Sequence, residues 1–345
     1  MSRTQTLITK LIIAFLITLL CMLWSLHVGT APISWSNIFS WLSSLFAHTT
    51  ADNNLTSDQN FFILSTLRGP RTVAAFGIGA ALGATGLTLQ TLLKNPLAEP
   101  YTLGLSGGSA LGAIAALTFN LEPATFFVPL ASVMGCVLAV SLILALTWRR
   151  LHYESRSLIL FGVMTSLFFG ALVVTLLAFL SPDKMQAAML WLLGEFGTSR
   201  DLWIFKLGPV IFICFALLMW RAKSFDAMEL GDARMLSLGF SPRQEKLIAV
   251  ILCTLMTALA VSIVGLVGFI GLASPHISRR ILKSSQHQWL LPASALTGGT
   301  LLIAADNLGR ILAKNSEIPA GSISALLGAP VLIALLVRRH HATIE

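Results

Sequence analysis

The apolar runs of this sequence contain few charged side chains, either within them or at their ends. These few residues are the candidates for ionic interactions. Arg68, Arg71 and Arg310 each fall near the end of an apolar run, where a cationic group can meet an acidic partner. A desolvated charge pair of that kind changes binding by ~2–5 kcal/mol when one member is truncated. The alternative is that the arginines only extend their charged heads to the membrane interface.

Asp306 is the acidic residue of most interest, because it lies in an apolar run four residues before Arg310. That spacing puts the two side chains on one helix face, where they can pair. An ionisable group at mid-depth in a membrane costs ~2.5–3.5 kcal/mol on insertion scales. Its presence there points to a function.

Groups that carry out catalysis form no recognisable pattern. The sequence holds no nucleophile–base pair or carboxylate pair at suitable spacing, and His276 has no partner ligand near it in the chain. The four cysteines lie singly in four apolar runs, which indicates neither a zinc site nor a disulfide framework. The phosphate-binding pattern GxxxxGK(S/T) is also absent. We predict that the chain is not an enzyme, needs no metal or cofactor, and does not hydrolyse ATP by P-loop chemistry.

The composition identifies the elements that position these residues. Of 345 residues, 55% are hydrophobic and 11% charged, whereas a soluble domain has roughly a quarter charged. A hydrocarbon layer ~30 Å thick needs about 20 apolar residues per helix, and such runs recur along the chain. The sequence predicts an all-α polytopic membrane protein with about ten transmembrane helices in a single domain over residues 1–345.

The predicted crossings follow the apolar runs. We expect them at about 11–28, 62–93, 101–119, 124–148, 158–180, 202–220, 243–263, a short broken segment from 265, 289–312 and 319–337. A signal peptide is the alternative for the first run. The polar, tryptophan-bearing stretch 30–60 is predicted to be an external loop, and 184–195 an amphipathic helix that begins after Ser181 and Pro182.

The basic residues predict the orientation. Most of the 23 lysines and arginines fall in segments that lie inside the cell if there are ten crossings and the N-terminus is inside. Both termini are therefore expected to be cytoplasmic. The net charge of +8 reflects this asymmetry and contact with lipid headgroups, so we predict no nucleic-acid partner.

Hydrophobicity falls sharply over residues 222–242. Met228, Met235 and Leu238 recur among charged residues, which predicts a short amphipathic helix. Gly239 is placed to end it in the left-handed conformation. This cytoplasmic segment is expected to be a folded projection made of short helices.

Glycines recur every four residues in two of the predicted helices. Gly79 and Gly83 share one helix face, as do Gly104, Gly108 and Gly112. Small residues at this spacing allow membrane helices to approach closely. The helix over 62–93 is therefore predicted to be central and to contact several neighbours.

Seven motifs together make the sequence similar to a known family. They are RGPR at 68–71, NPLAEP at 95–100 with LSGG at 105–108, WLLG at 191–194, LGDARMLSLG at 230–239, GFIGLASPHI at 268–277, Ala305-Asp306 with Arg310, and EIPAG at 317–321 before GAP at 328–330. Over nearly its whole length the chain resembles the membrane subunits of type II ABC importers for iron–siderophores, haem and vitamin B12. It departs from the pattern in a longer 30–60 loop and in Gly69, where a larger residue is usual.

The resemblance implies a vitamin-B12-importer-like permease fold and a set of partners. These are a second permease subunit, identical or paralogous, a cytoplasmic ABC ATPase dimer, a periplasmic substrate-binding protein and the bilayer of the bacterial inner membrane. It implies that Arg68, Arg71 and Arg310 dock the binding protein, and that Asn95 and Leu97 form the cytoplasmic gate. It also implies contact with the ATPase through a set of residues in the 222–242 loop. They are Asp226, Glu229, Leu230, Gly231, Asp232, Arg234, Leu238 and Gly239.

The expected function is movement of an iron(III)–siderophore complex from periplasm to cytoplasm by alternating access, driven by ATP hydrolysed on a partner. Haem or cobalamin is the alternative cargo. An ion-coupled secondary transporter is the alternative from another class, and it needs an intramembrane acid, for which Asp306 is the main candidate.

Overall fold

The structure is a computed structural model that describes residues 2–47, 59–148, 155–197, 201–312 and 318–341. Over these ranges the chain forms helices and no strand, as predicted. Residues 149–154, between the predicted crossings at 124–148 and 158–180, lie outside the described residues, as does the part of the 30–60 segment from 48 to 58.

Fourteen helices are described along these ranges, besides one 3-10 turn at Pro100–Leu103. The first seven are α1 Arg3–His27, α2 Trp35–Ala47, α3 Gln59–Leu92, α4 Leu105–Thr118, α5 Ala124–Trp148, α6 Ser155–Leu177 and α7 Pro182–Leu192. The rest are α8 Trp203–Trp220, α9 Ala222–Glu229, α10 Asp232–Ser237, α11 Pro242–Val264, α12 Ile270–Leu282, α13 His287–Leu312 and α14 Ala320–His341.

Seven of the described helices are long and apolar enough to cross a membrane: α1, α3, α5, α6, α8, α11 and α13. Two shorter apolar helices, α4 and residues Ala320–Pro330 of α14, are described besides these seven. Because α12 has only 13 residues, the prediction of a broken, short segment after residue 265 is confirmed. Gly265 and Phe269 both have positive φ angles there, 81° and 67°, and interrupt the helical path.

The prediction of a loop over residues 30–60 is wrong for its first part, where α2 forms 13 residues of helix. Its apolar residue Ile38 is buried together with Ile33 and Leu64 of the neighbouring segments. An amphipathic stretch that can bury one face gains more from a helix than from an extended loop.

Helix α3 lies at the centre of the described bundle, as its glycines predict. It packs antiparallel against α13, with Gly79 opposite Gly298 and Gly83 opposite Ser294. It also approaches α12, where a Cβ on Gly86 would overlap the backbone of Gly271. Backbones this close leave no room for larger side chains, so the small residues set the spacing of the helices.

The bundle has two ends that carry different chemistry. We call the end that carries α9 and α10 the inner end and the opposite end the outer end, following the orientation that the charges predict. Arg71 and Asp306 lie opposite each other at the outer end of the α3–α13 pair, and Thr91 and His287 lie opposite each other at its inner end.

Candidate functional site

At the outer end, a buried ion cluster is centred on Asp306. Its side chain is 2% exposed, and Arg71 holds it through two nitrogens, with Nη2–Oδ1 at 2.7 Å and Nε–Oδ1 at 3.0 Å. Arg310 contacts the other carboxylate oxygen at 3.1 Å. The predicted pair between Asp306 and Arg310 is therefore present, and Arg71 joins it from α3. One carboxylate between two guanidinium groups is a fully paired buried charge, as burial requires.

The same cluster ties α1 to the rest of the bundle. Arg68 donates to the carbonyl oxygens of Leu26 at 2.9 Å and His27 at 3.0 Å. Arg310 donates to the Val28 carbonyl at 3.0 Å and to Ser25 Oγ at 2.6 Å. These carbonyls have no helical partner because α1 ends there, so the arginines cap its C-terminus.

The three arginines predicted to dock a partner are thus brought together, but little of them is exposed. Arg68 is 6% exposed, and the side chains of Arg71 and Arg310 are 14% and 7% exposed. In the isolated chain they stabilise the outer end from inside. Their role in docking stays a prediction.

At the inner end, α9 and α10 are held to the bundle by three polar contacts. Asp226 of α9 bonds to His287 of α13 at 2.7 Å. Asp232 of α10 pairs with Lys246 of α11 at 2.7 Å. The carboxylate of Glu245 of α11 accepts hydrogen bonds from Arg221 and Ser224, each at 2.8 Å. The segment is a folded projection rather than a slack linker, as the sequence predicts.

The apolar residues of α9 and α10 divide between two faces. Met228 and Met235 are fully buried against the bundle, whereas Leu238 is 55% exposed, so the predicted apolar stripe is right for the methionines and wrong for Leu238. Leu230 and Leu236 are 65% and 64% exposed. The segment 230–238 therefore exposes three leucines, and contiguous exposed apolar surface is typical of a protein-binding site.

The other predicted coupling residues lie on the same projection. Gly231 and Gly239 have φ angles of 100° and 84° and end the two short helices, the second as predicted. Glu229 and Arg234 are exposed on either side of the turn between α9 and α10. Lys94 reaches that turn from the segment after α3, since its Nζ lies 3.7 Å from where a Cβ of Gly231 would be.

The predicted gate residues lie in this segment after α3, which we call the gate loop (residues 94–97). Asn95 folds it by accepting a hydrogen bond from the Leu97 N–H at 3.0 Å. The carbonyl of Pro96 contacts His276 Nε2 of α12 at 2.9 Å. Leu97 is 42% exposed at the tip. The loop is therefore fixed at its base and presents an apolar side chain, as a gate requires.

Comparison with known proteins decides the family. Residues 17–338 match the FecCD transport family. The chain belongs to this family. It is 36% identical to the uncharacterised ABC transporter permease protein YvrB of Bacillus subtilis over 304 residues, which cover 86% of this chain and 85% of YvrB.

Two further FecCD-type similarities cover nearly the whole chain. The hemin transport system permease protein HmuU of Yersinia pestis is 32% identical over 337 residues, 96% of each chain. A solved inward-facing structure of an ABC transporter of metal-chelate type superposes with a TM-score of 0.80 and 25% identity, covering 96% of this chain and 99% of that one. The chain is therefore an ABC permease that spans a membrane several times.

The sequence did not single out His287, which links the inner-end elements of this FecCD permease. It is completely buried, and its two ring nitrogens contact Asp226 and Thr91. Its sequence position, after the polar break that ends α12 and before an apolar run, indicates a helix start only. Neither partner is close to it in the chain, so local patterns do not reveal the contacts.

Glu99 was also missed as a site residue, although it lies in a quoted motif. Its carboxylate accepts a hydrogen bond from the Phe269 N–H at 3.3 Å, in the interrupted stretch before α12. Burial raises the pKa of Glu99, and the hydrogen bond from Phe269 opposes that shift. Next to it, Tyr101 accepts from the Val267 N–H at 2.8 Å and donates to the Val267 carbonyl at 3.0 Å. These side chains satisfy backbone groups that the broken helix leaves open.

Proposed function

We propose that this chain is the permease half of an ABC importer in which a separate ATPase dimer drives transport through α9 and α10. The observation that carries the proposal is the rigid projection with exposed Leu230 and Leu238. Three polar contacts fix it to α11 and α13, so a force applied to its surface reaches two membrane-spanning helices. A chain without its own phosphate-binding loop needs such an attachment.

An iron(III)–siderophore complex is the cargo that we propose. The similarity to a structure of metal-chelate type and to a hemin permease supports a metal chelate as the class of cargo. Haem and cobalamin belong to the same class and remain the alternatives, which the uptake experiment below separates. In this scheme a substrate-binding protein supplies affinity, and the permease supplies a path that opens to one side at a time.

The assembly that we propose has the same parts that the resemblance implies. A second permease subunit, identical or paralogous, completes the path, and the binding protein approaches the outer end. The chain lies in the bacterial inner membrane with both termini in the cytoplasm and the 222–242 loop facing the ATPase. Segment 30–60, including α2, then lies on the periplasmic side.

We keep docking by Arg68, Arg71 and Arg310 as part of the proposal, with a test that accounts for their burial. Replacing each by glutamate is expected to weaken capture of the binding protein by the reconstituted complex. Thermal stability of the same variants is measured in parallel. Lost capture at unchanged stability supports docking, whereas lost stability with capture intact assigns the arginines to the outer-end cluster alone.

An ion-coupled secondary transporter is the alternative that a specific residue, Asp306, would favour. A coupling carboxylate must load and release its ion. Asp306 is instead held between Arg71 and Arg310 at 2.7 and 3.1 Å, which leaves it no free oxygen for an ion. The geometry therefore favours the importer.

The deciding experiment reconstitutes the chain with an ABC ATPase and a substrate-binding protein from the same organism. Uptake of iron-55 supplied as a ferric hydroxamate siderophore is followed in proteoliposomes with ATP inside. We expect uptake that requires ATP and the binding protein. Haem and cobalamin are tested in the same vesicles to decide the cargo. Uptake by the chain alone, driven by an ion gradient, would overturn the proposal.

A further inference from the structure

We infer that His287 is the positioning residue that transmits movement of the α9–α10 projection to the gate loop, through hydrogen bonds to Asp226 and Thr91. The inference rests on the proposed function, because it assumes that a partner ATPase moves the projection. It adds a specific route of three side chains, none of which lies on the gate loop itself.

The first contact joins the projection to α13. One carboxylate oxygen of Asp226, Oδ1, accepts from both the backbone N–H of His287 at 2.8 Å and its ring Nδ1 at 2.7 Å. His287 is the first residue of α13, so the carboxylate also lies at the positive end of that helix. Two donors on one oxygen and a favourable helix terminus make this a firm attachment.

The second contact joins α13 to the end of α3. The other ring nitrogen, Nε2, lies 2.8 Å from the hydroxyl of Thr91. A neutral imidazole protonated at Nδ1 satisfies every atom, because Nδ1 donates to Asp226 and Nε2 accepts from Thr91. Only a side chain with two polar atoms on opposite sides can bridge these partners.

The third step leads from Thr91 into the gate loop. The carbonyl of Thr91 accepts from the N–H of Lys94 at 3.3 Å, and the carbonyl of Gln90 accepts from the N–H of Asn95 at 3.1 Å. The side-chain oxygen of Gln90 also accepts a hydrogen bond from Arg279 of α12 at 2.6 Å. The last turn of α3 therefore sets the position of the gate loop backbone.

The link is buried at His287 and Thr91, which are 0% and 3% exposed, whereas the Asp226 side chain is 36% exposed. The ring of Phe225 of α9, also completely buried, lies 5.8 Å from the ring of His287. Water does not replace a hydrogen bond lost between His287 and Thr91, but it reaches the carboxylate of Asp226 and partly replaces the contact there. Above the link, the glycine contacts of the α3–α13 pair keep both helices in register.

The test follows the gate directly and does not depend on cargo identity. In a background with the four native cysteines replaced by serine or alanine, Leu97→Cys is introduced and the complex with its ATPase is reconstituted in phosphatidylethanolamine–phosphatidylglycerol vesicles. The reaction rate with a water-soluble maleimide is compared without nucleotide and with ATP–vanadate trapped. We expect the nucleotide to change this rate in the parent.

Three variants break the route at one link each. His287→Asn retains a donor for Asp226 and loses the contact with Thr91, Thr91→Val loses the hydroxyl alone, and Asp226→Asn weakens the attachment to α9. His287→Asn and Thr91→Val are each expected to shrink the nucleotide-dependent change about five- to tenfold, the factor that one buried hydrogen bond supplies, while ATP hydrolysis continues. Asp226→Asn is expected to shrink it less, because that side chain is 36% exposed. If these residues only stabilised the fold, the same substitutions would reduce ATP hydrolysis and the gate response together.

Two controls keep the result specific. Thr85→Val removes an equally buried hydroxyl of α3 that bonds only to carbonyls of its own helix, at 2.9 and 3.0 Å, and should leave the response intact. Thr91→Ser keeps the hydroxyl and should therefore retain the nucleotide-dependent change of the parent. Combining Thr91→Val with His287→Asn should add no further loss, because both remove the same contact.

The outcomes separate the inference from the proposed function. A parent complex that hydrolyses ATP and moves its gate, with variants that respond like it, overturns the role of His287 and leaves the importer in place. A parent that binds no ATPase, or whose gate ignores nucleotide, overturns both. Loss of gate response in the three variants but not in Thr85→Val establishes the route.

Discussion

Gly79 and Gly298 face each other at the middle of the α3–α13 pair, and each backbone occupies the place that the other's Cβ would need. A Cβ on Gly79 would overlap the carbonyl group of Gly298 and lie 2.9 Å from the Cα of Gly299. The contact is between backbones, so no side-chain rotation can relieve it. The register that places Arg71 beside Asp306 and Thr91 beside His287 depends on this approach.

We therefore expect Gly79→Ala to destabilise the chain although alanine favours helix. Overpacking of a tight contact costs ~1–3 kcal/mol, which exceeds the ~0.5–1 kcal/mol that alanine gains over glycine in a helix. The measurement is thermal unfolding in detergent. Gly170→Ala is the matched control, because nothing lies within 4 Å of a Cβ at that position of α6. Equal melting temperatures for Gly79→Ala and Gly170→Ala would contradict the close approach.

A second prediction concerns the paired carboxylate of Asp306. Asp306→Asn removes the charge that Arg71 and Arg310 share and leaves two guanidinium groups in a buried site. Removing one member of such a cluster costs ~3–5 kcal/mol, so a large fall in melting temperature is expected. The control Asp183→Asn changes an exposed residue in the first turn of α7, where the effect should stay below ~1 kcal/mol.

The pairing itself is tested by a second substitution. In the Asp306→Asn variant, Arg71 no longer has a carboxylate to pair with. Adding Arg71→Gln to that variant should therefore recover part of the lost stability, because it removes one unpaired buried charge. Additive losses would instead show that the two residues act independently.

The fold could be predicted largely because membrane helices follow apolar runs. Helix α5 begins and ends where the sequence places it, at Ala124–Trp148, since the flanking polar residues cannot enter the hydrocarbon. The glycine spacing predicted that α3 is central. Helix α2 was missed because its tryptophans were interpreted as interfacial residues of a loop, although Trp35, Ile38 and Leu42 recur at the spacing of one helix face.

The two departures from the family pattern are connected in the structure. A Cβ on Gly69 would lie 2.7 Å from the Leu64 carbonyl oxygen and 3.1 Å from the ring of Trp41, which α2 brings to the start of the regular part of α3. The small residue therefore makes room for Trp41 as well as for the neighbouring backbone. No local pattern reveals such a contact between positions 28 residues apart.

The sequence singled out the charged residues of the outer end but not their geometry. It marked Arg68, Arg71 and Arg310 near the ends of apolar runs and Asp306 inside one, yet their burial depends on where α1 ends. A charged residue within an apolar helix requires a partner, but the sequence does not say which residue that partner is. Only the packing of helices that are distant in the chain identifies it. His287 is the clearest example, because both of its partners come from other helices.

A third prediction uses the carboxyl group of Glu99, which lies outside the membrane-spanning helices. Burial raises its pKa above the value in the unfolded chain, so the folded state binds the proton more tightly. Its contribution to stability is present below the unfolded pKa, ~4.3, and is lost as the pH rises through the folded pKa. Glu99→Gln, which cannot ionise, escapes this loss.

The measurement is the melting temperature in detergent from pH 4 to 8. Relative to Glu99→Gln, the parent should be most stable at the acidic end and lose that advantage as the pH rises. Glu122→Gln, at an exposed position between α4 and α5, is the control for replacing a carboxylate elsewhere in the chain. A parent that gains stability relative to Glu99→Gln on raising the pH would reverse the sign and refute the effect of burial.

The last prediction separates binding of the ATPase from folding of the permease. Leu230 and Leu238 are 65% and 55% exposed on the projection, so Leu230→Ser and Leu238→Ser should change the melting temperature of the isolated chain little. A partner that covers them buries their apolar surface and gains ~25 cal/mol per Å². We expect each substitution to weaken copurification of the ATPase at least tenfold, as for a residue near the centre of an interface.

Leu121→Ser is the matched control, since Leu121 is 41% exposed in the turn after α4, at the outer end. If Leu121→Ser reduces capture of the ATPase and the projection variants do not, the ATPase contacts the opposite end, and the orientation assigned from the charges must be inverted.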